Sequence, residues 1–245
     1  MKKLFSTLSI IFLLSPLSVL ALNFDGVDDY VSASLNLSGT NKITVSFWLN
    51  WDTNANDDQL AMEFTSVVSN AGSFLVNPND SSTGKVVITV GGNVPSYNQQ
   101  SFARPSARVW HHWAILMDRS SSGNEIPNVY IDGVNQSLTT VASGNHTDNF
   151  ANSTLYWMSR NGSSLFGKGL IDEVRVYNRA LSATEVRMLY YGFGSRNGLI
   201  GYWPLIGNTS GTFEPDFSGY GNHGTRTSGP IRAALHPFTR LMKFR

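Results

Sequence analysis

The carboxylates are the first residues that could do chemistry. Asp172 and Glu173 adjoin in Leu170-Ile171-Asp172-Glu173-Val174-Arg175-Val176-Tyr177, a run that reads as a strand. Hydrolysis of a glycoside needs two carboxyl groups flanking one bond. On a strand, that requires alternate positions facing the same way. Asp172 and Glu173 are neighbours, so they point to opposite faces, and the residue two after Glu173 is Arg175. No other strand-like run carries alternating acids. Serine nucleophile elbows and His-Glu-x-x-His zinc spacings are missing from the sequence. Cysteine is absent too, which removes thiolate catalysis, thiolate metal sites and disulfide staples. The expectation is a chain with no catalytic residues. Strict alternation places Asp172 in phase with Leu170, Val174 and Val176, opposite Ile171, Glu173, Arg175 and Tyr177. An inward carboxylate needs a cation or several hydrogen bonds, because burying an unpaired charge costs several kcal/mol.

Aromatic residues offer a second kind of chemistry. Trp48, Trp51, Tyr97 and Trp157 present flat rings that suit the apolar faces of sugars. Trp48 falls on the strand face opposite Ile43, Val45, Phe47 and Leu49, so it is free to stand as an outer platform. His111 and His112 lie in an apolar strand start, Trp110–Trp113. They have no acidic ligand spacing beside them, so packed or hydrogen-bonded rings are expected.

The elements that position these residues are almost all strands. Val86–Val90, Trp113–Met117, Asn128–Ile131 and Gly169–Tyr177 are short apolar or alternating runs, separated by clusters of Gly, Asn, Asp and Ser. Asp132-Gly133 marks a hairpin turn. The exception is 182–191, where Ser182-Ala183-Thr184-Glu185 spells a capping box before one short helix. The fold class expected is all-β, with two antiparallel sheets packed as a sandwich.

Composition narrows the function classes. Lys and Arg total 18 against 17 Asp and Glu, a balance unlike that of a nucleic-acid binder. Charged residues are only 14% of the chain. Lys2 and Lys3 precede an apolar stretch, Leu4–Leu20, that ends in Val19-Leu20-Ala21. This reads as a secretory signal, residues 1–21, cut before Leu22; the rival reading is an uncleaved anchor. No second apolar span follows, so no membrane crossing is expected after cleavage. A secreted, cell-surface or periplasmic location follows. After Asp216 every charge is basic, and residues 231–245 form a basic, apolar tail that could meet a membrane or partner.

Four blocks in order resemble a known family. They are Leu22-Asn23-Phe24-Asp25-Gly26-Val27-Asp28-Asp29-Tyr30-Val31; Ile43–Trp51; Trp110-His111-His112-Trp113-Ala114 with Val129-Tyr130-Ile131-Asp132-Gly133; and Ile171–Tyr177 running into the helix. Together they resemble bacterial laminin-G-like jelly-roll domains of the concanavalin A-like lectin/glucanase superfamily. The resemblance implies a jelly-roll sandwich. It also implies a structural calcium, with Asp25, Asp28, Asp29, Asp172, Asp216 and Asn222 at the matching positions. Ile206 stands where the family usually has Asp. The segments Gly201-Tyr202-Trp203-Pro204-Leu205 and Asp216–Thr225 resemble the family's usual beginning, yet here they come last. A permuted domain spanning 22–230, completed by 199–225, is the favoured reading; a truncated second domain is the other.

The leading functional expectation is a non-catalytic recognition module that binds a glycan or another surface ligand, assisted by calcium. The alternative is a scaffold of a cell surface or particle, self-associating through the C-terminal segment. A glycan hydrolase or lyase is the weakest.

Overall fold

The computed structural model describes residues 21–52, 58–65, 71–92, 97–120, 126–144, 147–205, 211–229 and 231–233. The expected signal, but for Ala21, and the tail beyond Ala233 lie outside the described residues. The first strands are β1 (Ala21–Asp25), β2 (Tyr30–Asn36), β3 (Lys42–Trp51), β4 (Met62–Phe64), β5 (Phe74–Asn77) and β6 (Val86–Gly91). Next come β7 (Tyr97–Phe102), β8 (His111–Asp118), β9 (Asn128–Ile131), β10 (Val134–Asn135), β11 (Thr139–Ala142), β12 (Asn152–Trp157) and β13 (Lys168–Tyr177). The chain continues through α1 (Ala183–Tyr190), β14 (Leu199–Trp203), β15 (Phe213–Glu214), β16 (Gly224–Thr227) and β17 (Ile231–Ala233).

Two antiparallel sheets result. One runs β10-β9-β8-β3-β13-β1-β17, and the other β11-β7-β6-β5-β4-β12-β2-β16-β15. β14 joins the first sheet beside the C-terminal half of β13, on the edge whose other half β1 occupies. Ile43, Val45, Phe47, Leu49 and Trp51 on β3 face Val31, Leu35, Phe64, Val76, Ile88 and Leu155 across one shared core. This is the two-sheet sandwich with one helix expected from the strand pattern.

The second face of β3 is buried as well. α1 folds back over it, and Leu181, Val186 and Leu189 pack on Ala114, Leu116, Tyr177 and Leu199. Local sequence fixes where α1 starts. Ser182 Oγ accepts from Glu185 N at 3.3 Å, and Glu185 Oε2 accepts from Ser182 N at 2.9 Å. Arg179 and the Ser182 amide hold the Glu185 carboxyl down at about 2. Under this roof the polar residues of β3 find partners: Thr44 Oγ1 donates to Arg179 O (2.9 Å), and Ser46 Oγ pairs with His112 Nε2 (2.9 Å).

Strict alternation fails on β13. Asp172 pairs with Trp48 and Arg175 with Ser46, so two residues, Glu173 and Val174, stand opposite Phe47 alone. Glu173 takes a left-handed backbone, φ +55°. This β-bulge shifts the phase by one residue. Ile171, Val174 and Val176 therefore share the core. Asp172 shares the outer face with Leu170, Arg175 and Tyr177, which corrects the expected grouping with Val174 and Val176. Asp172 is nevertheless fully buried, and its Oδ1 accepts from Glu173 N at 2.8 Å.

The C-terminal segment contributes to both sheets. β14 pairs with β13, β16 with β2, and β17 with β1. Trp203 is fully buried edge-on against Trp157, with ring centroids 4.8 Å apart, and donates from Nε1 to Asn222 O at 2.9 Å.

Candidate functional site

The six expected calcium ligands fall in three places. Gly26, at φ +84°, turns the chain between β1 and β2 and brings Asp28 and Asp29 back towards Asp25. One carboxylate oxygen from each of the three lies within 4.8 Å of the others. Asp29 Oδ2 accepts from Asp25 N (3.2 Å) and Asp25 Oδ1 from Val27 N (2.8 Å). Burial raises the Asp29 carboxyl above its ordinary range; the Asp25 amide opposes this, and the Asp25 and Asp28 charges add to it. This hard-oxygen set fits a calcium ion.

Asp216 and Asn222 form a separate turn. Asp216 accepts from the amides of Tyr202 (2.9 Å), Ser218 (2.8 Å) and Asn222 (2.9 Å). Asp25 is level with Lys168 on β13, while Tyr202 is level with Arg175. Seven residues of strand put these two groups roughly 20 Å apart. Asp172 belongs to neither turn and lies in the layer that holds Trp48 and Tyr202. A single six-ligand site is not what the fold builds, because the β13 pairings carry the two turns to opposite halves of the strand.

Glu173 is committed elsewhere. Its carboxylate meets the Arg175 guanidinium and accepts from Tyr202 Oη at 3.0 and 3.1 Å. Arg175 lies 4.2 Å above the Tyr202 ring. Burial, and then the Arg175 charge, push the neighbouring His112 down to about 3, so this ring is neutral at ordinary pH.

The aromatic candidates also divide. Trp48 is not an exposed platform: α1 covers its face, and the indole stacks on Tyr190 at 5.8 Å. Trp157 is core, because β12 aims it at Trp203. Tyr97 is 37% exposed at the start of β7. Trp51 is buried, yet it walls a cleft at the mouth of the sandwich.

The cleft is small, with room for about 10 Å³. Leu49 and Trp51 from the end of β3 and His111 and Trp113 from the start of β8 make one wall. Pro78 and the 104–109 connection make the other. Its polar lining is rich in hydrogen-bond donors: two indoles, Arg104, Ser106 and His111. Arg108 and Lys168 both pair with Asp52 on the same rim (2.8 and 3.4 Å). Reading along the sheet from β8 through β3 and β13 to β1, the cleft and the Asp25–Asp29 turn are separated by roughly 10–15 Å.

Sequence reasoning named Trp51 and missed Trp113, His111 and Arg104. The alternation of His111 and Trp113 with Ile115 and Met117 was the available signal. It also missed the aromatics that are most exposed: Tyr191, Phe193, Phe213, Phe217 and Tyr220.

Two antiparallel sheets closed over one core, with a concavity where the loops gather, define a jelly-roll β-sandwich. The family described as the concanavalin A-like lectin/glucanases superfamily matches residues 25–187, and the chain belongs to it. No curated protein matches the sequence. Among solved structures, the chain is similar to a candidate carbohydrate binding protein from Bacteroides ovatus (18% identity, TM-score 0.65, 89% of this chain and 60% of that one). It thus spans 60% of that protein's length. It is also similar to a heptameric SAP-like pentraxin from Limulus polyphemus (14%, 0.53, 74% and 84%). A third likeness is domain 4 of the extracellular arabinanase AbnA from Geobacillus stearothermophilus, solved with arabinotriose (21%, 0.50, 69% and 76%). At these identities the likenesses show the fold. β14 to β17 lie beyond the family match and still pair into both sheets.

Proposed function

We propose that this chain is an exported, non-catalytic recognition module that binds a glycan at the sandwich mouth. The donor-lined cleft walled by Trp51, His111 and Trp113 carries the reading, because it joins flat apolar rings to convergent polar groups. The Bacteroides ovatus and AbnA likenesses agree with it. A binding rather than hydrolytic role is supported by Glu173, which is held by Arg175 and Tyr202, and by Asp172, which is fully buried. A glycan array probed with the purified protein, with and without calcium, tests the reading. Binding that is lost in His111→Gln at unchanged melting temperature supports it. Retention of all binding in that variant removes the mouth from the function.

Calcium at Asp25, Asp28 and Asp29 is part of the proposal. A cation at one hundred times its dissociation constant stabilises the folded state by about 2.7 kcal/mol. Calcium is expected to raise the melting temperature of the parent protein and to leave Asp28→Asn unmoved. Equal shifts in both proteins would place the ion elsewhere.

A second reading, a self-associating scaffold, draws on the exposed aromatics Tyr191, Phe193, Phe217 and Tyr220. Sedimentation across a hundredfold range of concentration separates the two: concentration-dependent oligomers favour the scaffold.

A further inference from the structure

Resting on the glycan reading above, we propose that the cleft takes the carboxylate of an acidic sugar, a uronate. The reason is the hydrogen-bonding character of its wall. Trp51 Nε1 and Trp113 Nε1 are buried and have no hydrogen-bond partner among the described residues. An indole N–H can only donate. Arg104 can also only donate, and Nε and Nη2 are anchored on Gly84 O at 3.0 and 2.9 Å, which fixes the guanidinium beside the cleft. Among the described residues, no carboxylate lines the cleft to accept from these groups. The occupant must therefore bring the acceptors, and a carboxylate brings two oxygens with no hydrogen to compete.

His111 supplies the complementary acceptor. Its Nδ1 lies 2.6 Å from Asp132 Oδ2, and Asp132 Oδ1 accepts from His112 N at 2.8 Å. A carboxylate oxygen accepts, so Nδ1 donates to Asp132 and, in the ring that carries a single proton, Nε2 keeps its lone pair. Nε2 is buried and without a partner among the described residues. It is placed to accept a hydroxyl O–H. A uronate carries both groups on one ring, a carboxylate for the donors and a hydroxyl for Nε2.

Size agrees. The cleft as a whole holds about 10 Å³, the room of one water-sized group. One carboxylate oxygen fits there, while the ring stays outside against Arg104 and the half-exposed Val109.

The experiment titrates the full protein with glucuronate and galacturonate, and with their methyl esters, following the indole N–H resonances. The esters are expected to bind about tenfold more weakly than the acids, as a charge-assisted bond is lost. The Trp51 and Trp113 N–H signals should move with the acids. Arg104→Gln should weaken the acids by a similar factor and the esters by less, narrowing the gap between acid and ester. Equal affinity for acid and ester overturns the acid preference and leaves the glycan reading standing. Indole signals that stay fixed while the acid binds also overturn it, and show a cleft filled by water alone. Failure of acids, esters and neutral sugars alike, at concentrations on the order of 10 mM, overturns both.

Discussion

Trp203→Ala is expected to destabilise the protein by about 3–5 kcal/mol, and removal of everything after Tyr191 by more. Trp203 is fully buried, edge-on to Trp157, and ties the Asn222 turn to the core through its indole N–H. The alanine variant loses the burial, leaves a cavity that the two sheets cannot collapse, and strands Asn222 O. Truncation also removes the strands paired with β13, β2 and β1, opening edges that invite association. Denaturant titration reads the first effect: the midpoint should fall at unchanged slope. A loss under about 1 kcal/mol for Trp203→Ala, or a truncated chain that stays monomeric and melts like the parent, would make this segment an appendage.

The second large effect depends on pH. Glu63 is fully buried on the outer face of β4, with Arg160 Nε 3.6 Å from its Oε1. Burial pushes the carboxyl up from 4.5 to about 7; Arg160 and the Asn161 amide pull the other way. A raised carboxyl is stabilising while protonated. That contribution is complete below pH 4.5 and fades as pH rises through 7, by about 3 kcal/mol at most. Glu63→Gln should remove this slope, matching the parent at pH 4 and melting higher at pH 8. Parallel melting curves for the two proteins across this range would mean that Glu63 stays ionised. The turn over Glu63 is itself strained, with Met158, Asn161 and Leu165 at positive φ, so ionisation is expected to loosen it first.

The sandwich was legible because strands that face a core announce themselves locally. β3 keeps its apolar phase from Ile43 to Trp51, and Ser182 to Glu185 spells the start of α1 within four residues. The bulge was not legible. One residue, Glu173, leaves the extended region, and every side chain after it changes face; periodicity assumes the opposite. Burial of Trp48 was hidden for a different reason. Its strand position is outward, but the cover comes from α1, well over a hundred residues later. Trp157 likewise acquires its environment from Trp203. The carboxylates brought together at Asp25, Asp28 and Asp29 are near in sequence. Those that the reading joined across long distances, Asp172 and Asp216, are apart because only pairing register decides such distances. The cleft escaped notice because its two walls belong to different strands and a connection.

The order of strands has a consequence for timing. β1 lies between β13 and β17, and β2 lies between β12 and β16. The first two strands to be synthesised are therefore among the last to find neighbours, since all four partners come after residue 150. Contacts this distant in sequence slow folding, and an N-terminal strand that waits exposes its hydrogen-bonding edges in the meantime. A chain emerging from a ribosome would hold both edges of β1 and β2 open until β12 and β13 appear, and one edge of each open until β16 and β17 do. Closure of the sandwich thus waits for its last strands, and a folding assay should find the rate-limiting step sensitive to substitutions in β16 while those in the β8–β9 hairpin act earlier.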